Sequence, residues 1–122
     1  MKKLLVLFTM LSLAACSDDD NNNTVACTEV YTPGLNITVR NGNNTLTEGI
    51  TVTATDGTYI EELVLVPSEN ASYNGAYERA GTYVITVTGE GYVPYTSEPI
   101  AVDADECHVI TQERIIDLES VE

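Results

Sequence analysis

At 122 residues the chain has room for one domain and little else. It carries 19 acidic side chains against five basic ones, a net charge of −14, which excludes a nucleic-acid or anionic-headgroup surface because both partners are polyanions. One phenylalanine and no tryptophan exclude a core built on large rings, leaving Ile, Val, Leu and Ala, with tyrosines whose hydroxyls need water or a partner.

The first element is a leader. Met1-Lys2-Lys3 is a positive start, Leu4 to Leu13 an apolar run broken only by Thr9 and Ser12, and Leu13-Ala14-Ala15 a small-residue approach to a cleavage point. The run is too short to span a bilayer, and the three-part order is that of a secretory signal. Leu13-Ala14-Ala15-Cys16 resembles the lipobox of bacterial lipoproteins. The resemblance implies cleavage before Cys16, a diacylglycerol on its thiol and acylation of the new amino terminus. Several acyl chains make a stable anchor, at ~0.8 kcal/mol per buried CH₂. Residues 1–15 are thus read as signal peptide. Removing them discards both lysines and Phe8 and leaves three arginines against all 19 acids, a net of −16.

Residues 16–26 are read as a lipidated acidic tether. Ser17-Asp18-Asp19-Asp20-Asn21-Asn22-Asn23 has nothing to bury and no reason to fold. Such a stretch resembles the surface-export signals of Bacteroidota lipoproteins; a plain spacer has the same composition. Ser17 after the cysteine, rather than aspartate, resembles the enterobacterial signal for the outer membrane. The expected location is therefore the outer membrane, lipid-anchored, with surface exposure left open.

From Cys27 onward, through residue 119, the period is two. Leu35, Ile37 and Val39 alternate with polar residues, as do Ile50, Val52 and Ala54, and Tyr83, Ile85 and Val87. These are expected to be half-buried antiparallel strands. Further strands are expected over Tyr59 to Val66, Ser72 to Arg79, Glu98 to Val102 and His108 to Leu118. Asn41-Gly42, Asp56-Gly57 and Asn74-Gly75 supply turn residues that tolerate positive φ. No helix is expected, and about seven short strands in this length describe a two-sheet β-sandwich.

With Cys16 acylated, Cys27 and Cys107 remain. An exported domain with two cysteines is expected to bridge them, Cys27 before the first strand and Cys107 opening the last. A zinc site with His108 fails on ligand count, and adjacent strand residues point to opposite faces.

Asp56-Gly57-Thr58-Tyr59, the run Tyr77-Glu78-Arg79-Ala80-Gly81-Thr82-Tyr83 with Val84-Ile85-Thr86-Val87, Gly91-Tyr92, and Asp105-Glu106-Cys107-His108-Val109 follow in order. The set resembles the carboxypeptidase regulatory-like, transthyretin-like domains of bacterial lipoproteins, over about Cys27 to Leu118. The resemblance implies a seven-stranded Greek-key sandwich without catalytic residues. Within it Gly81 suits a positive φ, and Arg79 is expected to pair with a carboxylate near Glu78 or in the Asp105-Glu106 loop.

Candidates for chemistry are few. His108 is the only histidine, and no serine sits in a nucleophile elbow, so it is expected to be a strand histidine bonded to a backbone group or carboxylate. No catalytic residue and no cofactor are expected. Asp103, Asp105 and Glu106 offer oxygen donors for a weak calcium site, although the twelve-residue calcium-loop pattern is absent. Tyr73 with Tyr77 on one strand face, and Tyr92 with Tyr95 around Pro94, are candidate ligand-binding tyrosines. Two uses follow: a structural or protein-interaction module held on the membrane by lipid, or a surface module binding a glycan or peptide.

Overall fold

The computed structural model describes residues 26–121. The signal peptide, Cys16 and the tether up to residue 25 lie outside the described residues.

The described chain is all β, with no helix and two sheets enclosing one core. In the first sheet the order is β10 (Gln112–Asp117), β1 (Leu35–Asn41), β6 (Ser72–Gly75) and β5 (Val64–Val66), with β2 (Asn44–Thr45) folded back onto β1. In the second the order is β4 (Tyr59–Glu62), β3 (Ile50–Asp56), β7 (Gly81–Gly89) and β8 (Tyr95–Thr96), and β9 (Ile100–Val102) also pairs with β7. Val39, Val52, Tyr83, Ile85 and Val87 are fully buried, as are Leu35 and Ile37. The three alternating segments therefore turn the faces inward that their period requires.

Several expectations need correction. Tyr59 to Val66 is two strands in different sheets: β4 ends at Glu62, the chain crosses at buried Leu63, and β5 pairs with β6. Asn74-Gly75 is no turn. Both residues lie inside β6, an interior strand, where buried Asn74 Nδ2 donates to Ser72 Oγ at 3.1 Å. Gly75 is required there by contact, because a Cβ would overlap the Leu63 side chain. The strand expected to run on to Arg79 stops at Gly75. Ala76 and Glu78 have φ of 54° and 52°, and each left-handed non-glycine residue costs about 1–2 kcal/mol.

The final strand starts at Gln112, and Cys107 and His108 precede it in a loop. It pairs with β1 in parallel, against the antiparallel expectation, from Leu35 opposite Gln112 to Arg40 opposite Asp117. Both strands leave from the same pole of the sandwich, where Cys27 and Cys107 are joined with Cα atoms 5.3 Å apart. Their common starting point sets their common direction.

Two expected turns are present. Gly42 (φ 64°) and Gly57 (φ 63°) each hold the first central position of a two-residue hairpin, between β1 and β2 and between β3 and β4. Left-handed glycine there matches the twist of the flanking strands.

Leu63 holds the crossing between the sheets, so Leu63→Ala should destabilise the domain by about 2–5 kcal/mol. Calorimetry should show a melting temperature several degrees lower, with a smaller fall for half-buried Leu65→Ala.

Candidate functional site

The polar side chains gather at the pole where the chain enters the sandwich. Cys27 to Gly34 contains no strand, yet its groups are tied down one by one. The disulfide fixes Cys27 to the loop before β10. Thr32 N–H donates to Glu78 Oε2 at 2.9 Å, and Glu78 N–H donates back to the Thr32 carbonyl at 2.9 Å. The Thr111 hydroxyl donates to the Pro33 carbonyl at 2.7 Å. The Tyr31 ring stacks on Tyr77 at 4.8 Å between centroids.

Glu78 is the hub. Its carboxylate also lies 2.7 Å from His108 Nδ1 and accepts from Val109 N–H at 3.3 Å. His108 Nε2 lies 3.1 Å from Thr28 Oγ1. Hydroxyl, imidazole and carboxylate are thus connected in the order of a hydrolase triad. Chemistry needs more: donors aimed at the negative charge of an intermediate. Three amides of the loop are already occupied. Cys107 and His108 N–H donate to Asp105 Oδ1 at 2.8 and 2.9 Å, and Val109 N–H donates to Glu78. What the geometry does supply is a latch, joining the entering chain, the β6–β7 crossover and the loop before β10 through one carboxylate and one imidazole.

A second polar group lies beside it. Arg79 Nη1 donates to Asp56 Oδ2 at 3.1 Å and to the Tyr83 hydroxyl at 2.9 Å, and its guanidinium lies 3.7 Å from the Tyr59 ring centroid. Tyr83, fully buried, donates its own hydroxyl to the Arg79 carbonyl at 2.8 Å. The partner of Arg79 is therefore Asp56, from the β3–β4 hairpin, and not the Asp105-Glu106 loop. Gly81 does not have positive φ; a Cβ there would press on the Asp56 carboxylate and displace it. Glu61 Oε1 accepts from the Tyr59 hydroxyl at 2.7 Å and from Ala76 N–H at 3.0 Å. The hydrogen bond to Glu61, with burial, pushes the Tyr59 hydroxyl up to about 12.

The other candidates are scattered. Asp105 caps its own loop, Asp103 contributes a backbone carbonyl to Ile110, and among the described residues no three His, Cys, Asp or Glu side chains form a metal set. Tyr73 lies in the core, with its hydroxyl donating to the Leu46 carbonyl at 3.0 Å, and does not share a face with Tyr77. Tyr92 and Tyr95 both pack against the core, and Tyr95 also lines an external groove. Nothing in the sequence marks Thr28: it lies 80 residues from His108 on a strandless segment, and the disulfide is the one sequence feature that brings the two together. No protein family matches the sequence, and no curated protein or solved structure is significantly similar to it.

The disulfide closes a loop of most of the domain, so Cys27→Ser should cost ~2–5 kcal/mol, read as a lower melting temperature. The latch should be acid-sensitive. The N–H of Thr32, with His108 and Val109, holds Glu78 below its ordinary 4.5, and the amides of His108 and Cys107 hold Asp105 below its ordinary 3.8. A carboxylate depressed in the folded state contributes stability that is full above its unfolded pKa and lost as pH falls through the folded one. Denaturation midpoints should therefore fall as pH drops below about 4.5, and Glu78→Gln should flatten part of that slope while lowering the midpoint at neutral pH.

Proposed function

We infer that this chain is a lipid-anchored envelope lipoprotein whose β-sandwich serves as a non-catalytic structural or protein-interaction module. The observation that carries the reading is the commitment of the reactive side chains. His108 is held by Glu78, Arg79 by Asp56 and Tyr83, and Cys27 by Cys107. Each of these contacts joins segments far apart in the chain, which supports a role in holding the domain's shape.

The latch favours a tethered role. Chain coming from the lipid on Cys16 would enter the domain at Cys27, and any pull on it would meet the disulfide first. The carboxypeptidase regulatory-like architecture, a seven-stranded Greek key, is proposed on the ordered motifs alone. Of its motif residues, Asp56, Tyr59, Arg79 and Tyr83 belong to one interacting group. In the alternative, a glycan- or peptide-binding module, Tyr95 is better placed than Tyr73, since it lines an outer groove while Tyr73 is spent in the core.

Anchoring is tested at Cys16. Wild-type protein should incorporate labelled fatty acid in a bacterial host and partition into detergent; Cys16→Ser should do neither. Unlabelled, water-soluble wild-type protein would remove the lipoprotein reading.

A further inference from the structure

A sheet edge is a row of unpaired backbone donors and acceptors, so each edge is either blunted or used. Most edges here are short. β8 has two residues, β5 has three and runs into Pro67, and β4 has four. β10 is different: six residues that, among the described residues, pair with β1 alone, the outer side being taken only past the strand's end, where the Glu119 carbonyl accepts from Val93 N–H at 2.8 Å. Gln112 and Leu118 N–H donate inward to the carbonyls of Gly34 and Arg40. By the strand's period of two, the backbone groups of Glu113, Ile115 and Asp117 point outward.

That edge borders a trench. A groove of about 300 Å³ lies between β10 and the chain from Tyr95 to Ile100, with Pro99 and Ile115 in its wall. A second groove of about 220 Å³ runs on past Pro94 and Leu118, and Tyr95 lines both. Ile115 is 61 % exposed. The rim is acidic: Glu98 lines the first groove with Arg114 opposing it, and Asp117 and Glu119 line the second. Arg40 lies 3.6 Å from Asp117, so with Glu113 included four carboxylates around the trench face two guanidiniums.

We propose that the outer edge of β10 and its trench dock an extended segment of a protein partner by strand addition, the segment carrying basic, apolar and basic side chains at alternate positions. Main-chain hydrogen bonds to β10 would supply affinity, and alternate side chains would supply selectivity. The apolar residue would lie opposite Ile115 and the basic ones opposite Glu113 and Asp117. A second copy of this chain is a poor occupant. Antiparallel pairing of two β10 strands centred on Ile115 would set Glu113 opposite Asp117 twice, and like charges directly opposed destabilise a sheet. The proposal rests on the interaction-module reading and gives it a surface and a partner chemistry.

The test uses the processed, full-length lipoprotein in neutral detergent micelles. The probe is a synthetic peptide of threonines with lysine, valine and lysine at alternate positions. It should bind, weaken as salt rises, and protect the Ile115 amide region from hydrogen exchange. Methylating the peptide nitrogens that face β10, or substituting Glu113→Lys with Ile115→Lys, should weaken binding about tenfold or more. Both substitutions are at exposed positions, so the variant should keep its melting temperature. No binding at millimolar peptide overturns the proposal, as does binding indifferent to methylation, which would be charge adsorption alone. Protection elsewhere, for example at Tyr31 and Tyr77, also overturns it while leaving the interaction-module reading intact. Self-association through β10 in preference to the peptide would overturn it as well.

Discussion

Two carboxylates hold the crossover from β6 to β7, and much of the rest depends on them. The chain must leave an interior strand of one sheet and begin an interior strand of the other within five residues, Ala76 to Ala80. It does so with left-handed backbone at Ala76 and Glu78, a conformation that persists only where its surroundings over-determine it. Glu61 takes the Ala76 amide, and the Glu78 carboxylate takes amides from the entering chain and from the loop before β10. Arg79 is then placed to reach both the Asp56 hairpin and the Tyr83 hydroxyl.

This arrangement suits a small core. The buried side chains are mainly aliphatic, and Tyr83 supplies the largest of those fully enclosed. A buried phenol needs a partner, and the crossover gives it one in the Arg79 carbonyl. The disulfide then limits the unfolded chain from the opposite direction, closing the domain where its first and last strands begin. Polar satisfaction and the covalent closure thus converge on one pole.

Charge shapes that surface. Two of the three arginines are engaged by Asp56 and Asp117, so acidic residues dominate what a partner meets. The same carboxylates on β10 that oppose pairing between copies would, in the docking proposed above, select a basic strand.

The alternation of apolar residues at 35, 37 and 39, at 52 and 54, and at 83, 85 and 87 determined that these segments are strands and which faces they bury, because side-chain direction in a strand is local geometry. Cys27 and Cys107, the two cysteines that flank the strand-forming stretch, marked the bridge that joins them. Gly42 and Gly57 likewise marked their hairpins through a conformation few residues adopt. Tertiary structure decided the rest. The break at Leu63, the parallel partner of β1 and the burial of Asn74-Gly75 depend on which sheet a strand joins, and period two is the same in either. The Glu78–His108–Thr28 latch and the Arg79–Asp56 pair join residues far apart in the chain, whose meeting follows only from the path the strands take between them.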